Sequence, residues 1–255
     1  MKNQTVLILA LFVLPTLAVA APQAGSSMKM SMSGKAHSTA TAPKAAPSLL
    51  KPDSLKLQAP AVFSARFTTT KGDFVVEVTR AWSPRGADRF YNLVKYHFFD
   101  DAAFFRVVEG FVVQFGISAR PDVAKAWENA RVIDDPVVEG NKLGTLTFAT
   151  SGPNTRTTQL FINLADNGNL DSMGFSPFGK VTSGMDVVTK LYGGYGEGAP
   201  NGNGPDQGRI QSEGKAYLQK SFPLLDTIKT AVILPAVPPA SAKPAGTSKP
   251  ATPKP

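Results

Sequence analysis

An arginine and a glutamine stand in the otherwise apolar run FFRVVEGFVVQFG, residues 104–116. The aromatic and β-branched residues around them predict two buried strands, at residues 104–108 and 111–115. Alternation along these strands places Arg106 and Gln114 on one shared apolar surface. Because a buried guanidinium is costly unless its donors are used, Arg106 either pairs with an internal carboxylate or waits for a ligand.

The elements that must position these two residues are mostly short strands. The stretch ARFTTTKGDFVVEVTR predicts a β-hairpin at residues 65–69 and 73–78, hinged on Lys71-Gly72. Further β-prone runs lie at residues 144–149, 158–162, 175–181 and 226–234. Many short strands that do not alternate with helices favour a closed or sandwiched antiparallel sheet.

Two helices are predicted beside the strands. Ser83-Pro84 is typical of a helix start, and apolar residues then recur at helical spacing as far as His97, which is therefore expected in the core. Residues 185–192 predict the second helix, ended by glycines. The glycine-rich segment at residues 192–208 lacks the lysine and Ser/Thr of a phosphate-binding loop, so it predicts a surface loop.

The first twenty residues, MKNQTVLILALFVLPTLAVA, predict a secretory signal peptide. They combine a lysine at position 2, an apolar stretch, and Ala18 and Ala20 at the spacing of a cleavage site. An uncleaved membrane anchor is the alternative, but Pro15 interrupts an apolar run shorter than the roughly 20 residues of a bilayer span. We therefore expect an exported protein, in the periplasm or secreted, with no stable membrane insertion after signal cleavage.

The remaining chain divides by composition into a domain and two tails. Residues 21–60 have the composition of a disordered linker and residues 235–255 form a Pro/Ala/Lys-rich tail, with a single domain at residues 61–234. The chain has no cysteine, so the domain must be stabilised by its core. The formal charge of +8 comes from scattered lysines, many of them in the tails, which indicates solvated surface rather than a nucleic-acid partner.

One stretch of the linker could bind a metal. MKMSMSGKAH, residues 28–37, holds three methionines and a histidine, soft ligands that could take Cu(I). A linker without a metal is the favoured interpretation, and no metal or cofactor is expected.

Two further segments, taken together with the run at residues 104–116, resemble a known family. GTLTFATSGPNTRTTQLFINLADNGNLD at residues 144–171 and FGKVTSGMDVV at residues 178–188 follow FFRVVEGFVVQFG in the same order as three motifs of one family. Together they resemble the cyclophilin family of peptidyl-prolyl isomerases. The resemblance covers residues 62–234, and three ordered motifs at compatible spacing are far more specific than one short pattern.

The resemblance implies a mainly β fold, a closed eight-stranded antiparallel β-barrel capped by two α-helices. It makes Arg106 the main catalytic residue, Gln114 the side chain that binds the substrate backbone, and Phe111 and Phe161 the aromatics that hold the proline ring. The other positions it assigns to the substrate are Val112, Leu170, Ala149, Thr150 and Phe175. Its substrates would be unfolded or extended proline-containing polypeptides, isomerised without a cofactor by a monomer.

Several positions depart from the family pattern. Phe105 replaces a histidine, Asn169 stands where many members carry tryptophan, and Phe175 stands where they carry histidine. These changes leave the arginine, the glutamine and the two proline-binding aromatics in place, so catalysis remains the leading hypothesis. The alternatives are a non-catalytic proline-peptide-binding chaperone module and a domain whose basic tails adhere to an anionic envelope.

Overall fold

Eight strands make up the centre of the structure, a computed structural model that describes residues 48–235, and along the first two strands buried residues alternate with more exposed ones. Along the first strand, for example, Phe63, Ala65 and Phe67 point into the core while their neighbours face outward. The strands are β1 (Val62–Thr69), β2 (Asp73–Thr79), β3 (Arg106–Val108), β4 (Val112–Phe115), β5 (Thr145–Phe148), β6 (Leu160–Asn163), β7 (Pro177–Ser183) and β8 (Ile228–Ile233). All eight join one antiparallel sheet in the order β3-β4-β6-β5-β7-β2-β1-β8.

The two edges of this sheet approach each other without completing a ladder. The Phe104 N–H donates to the Asp226 carbonyl (3.0 Å) and the Ile228 N–H donates to the Ala102 carbonyl (2.9 Å), just ahead of β3 and β8. Within residues 48–235, β3 and β8 themselves do not pair. The eight-stranded antiparallel sheet is therefore confirmed as an open, curled sheet, and the closed barrel stays a prediction.

Six α-helices surround the sheet in the described part of the chain, so the expected number of two was too low. They are α1 (Pro84–Lys95), α2 (Pro121–Trp127), α3 (Asn169–Ser172), α4 (Met185–Val188), α5 (Gln207–Glu213) and α6 (Lys215–Ser221). The predicted first helix is α1, which begins at the predicted proline. The predicted second helix is α4, which ends four residues earlier than expected.

The end of α1 corrects the prediction for His97. The helix stops at Lys95, and His97 adopts a positive φ of 60° in the turn that follows. Its side chain is 60% exposed, beside the Asp100 carboxylate. The helical spacing was therefore extended two residues past the end of α1, and His97 is not a core residue.

Aromatic side chains form the core between α1 and the inner face of the sheet. Phe67 stacks on Phe74 with ring centroids 4.9 Å apart, and it also packs against Phe90, Phe99 and Phe115. Such contacts combine large apolar burial with favourable ring geometry. This core stabilises a cysteine-free domain, as the composition requires.

The predicted linker boundary is also corrected. Leu55 and Ala59 are buried in the core, and the Trp127 indole N–H donates to the Leu49 carbonyl (2.8 Å). Residues 48–60 therefore belong to the folded domain. The signal peptide, the rest of the linker with its methionine-rich stretch, and the tail from residue 236 lie outside the described residues.

None of the helices in the described part of the chain has the length and apolar character that a membrane crossing needs.

Candidate active site

The register of β3, β4 and β6 brings the polar pair of the arginine run together. Arg106 lies opposite Gln114, and Gln114 lies opposite Phe161 on the next strand. Residues paired in this way present their side chains on the same face of the sheet. The Arg106 Nη1 accordingly donates to the Gln114 Oε1 at 3.1 Å.

Beside this pair lies a small apolar cluster, separate from the main core. Val112, Phe161, Leu170 and Phe175 are buried against one another, and the Phe161 and Phe175 rings meet edge to face with centroids 5.7 Å apart. Phe111 and Ala149 pack on the cluster from its rim. The result is an apolar floor bordered by a guanidinium and an amide.

The cluster and the polar pair line one small cavity that is open to solvent. Eight of the nine residues predicted for the site line it: Arg106, Phe111, Val112, Gln114, Ala149, Phe161, Leu170 and Phe175. Thr150 is the exception. Its hydroxyl is used within its own turn, where it contacts the Gly152 carbonyl and the Thr155 hydroxyl.

Buried asparagine side chains bind backbone carbonyls of residues that line the cavity. The Asn167 Nδ2 donates to the Phe111 carbonyl (2.9 Å), and the Asn141 Nδ2 donates to the Phe175 carbonyl (2.8 Å). Asn167 also donates to Asn163 Oδ1 (2.7 Å), which places the amides in one network. Satisfied buried networks of this kind hold a single arrangement of the groups they bond. None of these asparagines was predicted, because each acts on a backbone carbonyl far away in sequence.

The most important residue that the sequence did not reveal is Glu197. Its carboxylate accepts two hydrogen bonds from Arg106, Nε to Oε2 at 2.8 Å and Nη2 to Oε1 at 2.6 Å. The Arg106 side chain is 8% exposed and that of Glu197 is 38% exposed. Arg106 thus pairs with a carboxylate, one that is partly exposed, and it also lines the cavity, so its role toward a ligand stays a prediction.

A line of glutamines continues the hydrogen bonding away from Arg106. The Gln114 Nε2 donates to Gln159 Oε1 (2.8 Å), and the Gln159 Nε2 donates to Gln207 Oε1 (3.1 Å) at the start of α5. Glu197 and Gln207 both belong to the glycine-rich segment that the sequence predicted only as a surface loop. In sequence, the one usable signal was that Glu197 is the sole acidic residue between Tyr192 and Pro205.

The site offers hydrogen-bond donors and an apolar pocket rather than a metal centre. Across residues 48–235, no three His, Cys, Asp or Glu side chains gather as a metal site would require. The arrangement suits an extended ligand that inserts one apolar ring and presents amide groups to Arg106 and Gln114.

The chain is similar in sequence to known proteins. The family model described as "Cyclophilin type peptidyl-prolyl cis-trans isomerase/CLD" matches residues 64–211. A peptidyl-prolyl cis-trans isomerase of Acinetobacter baylyi is 37% identical over 130 residues, which cover 48% of this chain and 68% of the relative. Peptidyl-prolyl cis-trans isomerase B of Escherichia coli is 32% identical over 137 residues, covering 50% and 82% of the two chains.

Among solved structures, a cyclophilin-type peptidyl-prolyl cis-trans isomerase of Cryptosporidium parvum has a similar fold. The TM-score is 0.51 with 20% sequence identity, covering 69% of this chain and 99% of the other. At that identity the likeness concerns the fold alone. It agrees with the eight-stranded sheet described above.

Proposed function

The chain belongs to the cyclophilin-type peptidyl-prolyl cis-trans isomerases, enzymes that rotate the peptide bond before proline, and we propose that it does so in exported polypeptides through the cavity that Arg106 lines. Its substrates are unfolded or extended chains that present a Xaa-Pro bond. The reaction makes and breaks no covalent bond, so neither a nucleophile nor a cofactor is part of the proposal.

The barrier that the enzyme must lower arises from amide resonance. Partial double-bond character opposes rotation by roughly 18 to 20 kcal/mol, which makes uncatalysed isomerisation slow. In the twisted transition state the resonance is lost, and the prolyl nitrogen gains an available lone pair. A donor aimed at that nitrogen stabilises the transition state without stabilising the planar substrate, which is the requirement for catalysis.

In this proposal the donor is Arg106. Arginine stays charged and presents a rigid fork of N–H groups. A charge-assisted hydrogen bond is worth about 1.5 to 3 kcal/mol. At about 1.4 kcal/mol per decade, that corresponds to roughly a ten- to hundredfold increase in rate.

The other cavity residues hold the substrate. Phe161 and Phe111 receive the proline ring, while the Gln114 amide binds the backbone next to it. The apolar floor keeps water from the Arg106 donors and so strengthens their electrostatic effect. The observation that carries the proposal is that Arg106, Gln114 and Phe161 border the same apolar cavity.

Replacing Arg106 tests the proposal. We expect Arg106→Ala to reduce kcat/KM at least about tenfold, because the transition state loses its charged donor. Arg106→Lys should recover only part of the loss, since an ammonium lacks the planar fork. The measurement is the cis/trans exchange rate of a short Ala-Pro-Phe peptide by NMR, with circular dichroism to verify folding of each variant.

Two results would contradict this proposal. If folded Arg106→Ala keeps the wild-type rate, Arg106 is not the donor. If wild type accelerates no exchange but the peptide still shifts resonances of the cavity residues, the groove belongs to a non-catalytic binding module.

Export is the second part of the proposal. It rests on the lysine, apolar stretch and alanine spacing of residues 1–20. Sequencing the amino terminus of the mature protein tests it. A terminus at position 21 or 22 supports export with cleavage, and an intact terminus contradicts it.

A further inference from the structure

We propose that Glu197 is a positioning residue for the isomerase reaction, holding the Arg106 guanidinium from one side so that its remaining donors serve the substrate. The inference rests on the proposed function of Arg106. It assigns a catalytic purpose to the glycine-rich segment at residues 192–208, which lies outside the three family motifs.

The donors of Arg106 can be counted. A guanidinium carries five N–H groups, one on Nε and two on each Nη. Glu197 takes one from Nε and one from Nη2, and Gln114 takes one from Nη1. Five minus three leaves two, one on each Nη nitrogen. Because Arg106 lines the cavity, these two can still reach a ligand there.

The order of donors and acceptors along the glutamine line follows from the same count. Arginine can only donate, so Gln114 must turn its oxygen to Arg106 and its amino group to Gln159. Gln159 in turn donates to Gln207. Glu197 bonds Arg106 at one end of this line, and Gln207 bonds Gln159 at the other. Together they hold Arg106 and Gln114, the two polar side chains of the cavity.

The backbone around Glu197 is closely folded. The Gly204 N–H donates to the Glu197 carbonyl (2.8 Å), and the Ala199 N–H donates to the Gly204 carbonyl (3.2 Å). A Cβ at Gly202 or Gly204 would collide with the backbone of Glu197. These glycines permit a close approach that places the carboxylate against Arg106, and they explain the composition of the segment.

The far end of the segment is anchored to α5 and α6. The Asp206 side chain accepts the Arg209 N–H at the start of α5 (2.7 Å), and the Tyr217 hydroxyl accepts the Asp206 N–H (3.1 Å). Tyr217 is buried in a cluster with Phe105, the neighbour of Arg106. The segment is thus fixed at two places, by Glu197 at the Arg106 guanidinium and by Asp206 at α5 and α6. A positioning group requires this kind of support.

Glu197→Gln is the main test. The amide keeps the size of the side chain but loses the second acceptor and the negative charge, so the guanidinium can turn away from the prolyl nitrogen. We expect kcat/KM to fall roughly tenfold, mostly through kcat, with the melting temperature nearly unchanged. Glu197→Asp retains a carboxylate on a shorter stem and should lose less.

Glu213→Gln provides a matched control. Glu213 also pairs with an arginine through two hydrogen bonds, Arg209 Nε to Oε1 at 2.6 Å and Nη2 to Oε2 at 3.0 Å. It lies in the neighbouring helix α5 and does not line the cavity. We expect wild-type kcat/KM from this variant.

A second readout separates positioning from general support of the fold. The Arg106 Nε–H resonance should be sharp and slow to exchange with water in wild type, because Glu197 accepts that proton. It should broaden or exchange rapidly in Glu197→Gln while resonances of the core amides stay in place. A purely structural role for Glu197 would not change this one signal selectively.

Three results would overturn the proposal. Wild-type kcat/KM in folded Glu197→Gln, with the Arg106 signal unchanged, means that the pair does not position the guanidinium. An increase above wild type means that Glu197 masks Arg106 instead of positioning it. If wild type accelerates no exchange at all, the proposed function fails and the positioning role fails with it.

Discussion

Asp135 is a buried acid at which three separate segments meet. Its Oδ2 accepts hydrogen bonds from the Ser83 hydroxyl (2.6 Å) and the Gly86 N–H (3.0 Å) at the start of α1, and it pairs with Arg156 Nη2 (3.1 Å). Ser83-Pro84 marks the start of α1 as predicted, but the Ser83 hydroxyl donates to Asp135 and makes no capping hydrogen bond to the helix. A carboxylate from another segment thus meets the start of the helix.

The charge of Asp135 should make stability depend on pH. Burial by itself would raise the pKa of Asp135, but the hydrogen bonds from Ser83 and Gly86 and the charge of Arg156 outweigh it and hold this pKa below its usual range. The stabilisation is therefore complete above the unfolded pKa of about 3.9 and is lost as pH falls through the lower folded pKa.

Asp135→Asn tests this account. We expect the free energy of unfolding at pH 7 to fall by about 3 kcal/mol, because Arg156 keeps its charge but loses a buried partner. The difference from wild type should narrow as pH falls below about 4. Urea denaturation at pH 7 and pH 3 measures both. Asp122→Asn, which removes an exposed partner of Arg120, should change little, and an equal loss there would contradict the account.

Helices α5 and α6 form the element that most distinguishes the structure from the predicted fold. They cover a small cluster to which Phe105 contributes, together with Ile117, Ile210, Tyr217 and Leu218. At position 105, where the family pattern has a histidine, the Phe105 ring packs in this cluster.

Phe105→Ala should therefore loosen the two helices. We expect a loss of about 3 kcal/mol in the free energy of unfolding, since the ring leaves a cavity that the cluster cannot fill. Hydrogen exchange should quicken at the amides of α5 and α6. Leu224→Ala, 58% exposed in the same region, is the control and should cost less than about 0.5 kcal/mol. A cost below about 1 kcal/mol for Phe105→Ala would show that the cluster does not hold the helices.

Sequence patterns predicted the elements unevenly, for physical reasons. The hairpin of β1 and β2 and the start of α1 were predicted because strict alternation and a proline at the first helical position are local signals. Helices α5 and α6 have seven residues each, too few for a clear period, and tertiary packing stabilises them. The Asp206 cap ahead of α5 was the available signal.

The same limit applies to the candidate site. Arg106 and Gln114 lie within one short motif, so alternation along its two strands predicts a common surface for them, whereas Phe111 was assigned to the site by the family resemblance. Glu197 contacts Arg106 across 91 positions, from a segment with no regular period. Only the folded chain brings such residues together, which is why the sequence offered the carboxylate partner as a possibility without naming it.

At the scale of the whole molecule, the folded unit extends further toward the amino terminus than composition suggests. Asn92 of α1, which is buried, exchanges hydrogen bonds with Leu57, N–H to Oδ1 at 3.0 Å and Nδ2 to the carbonyl at 2.7 Å. Asp88 accepts the Ala59 N–H at 2.8 Å. Residues 48–60 thus satisfy polar groups of α1 and bury Leu55, although they have the polar composition of a linker.

Two truncated chains test whether the folded domain begins at residue 48 or at residue 61. A chain of residues 48–235 should retain the stability and kcat/KM of the full chain, because it keeps every contact described above. A chain of residues 61–235 should be at least about 3 kcal/mol less stable, since Asn92 loses its two hydrogen bonds with Leu57 and Leu55 no longer covers the core. Urea denaturation of both chains measures the difference. Equal free energies of unfolding for the two chains would mean that the domain begins at residue 61 and that the packing of residues 48–60 is energetically neutral.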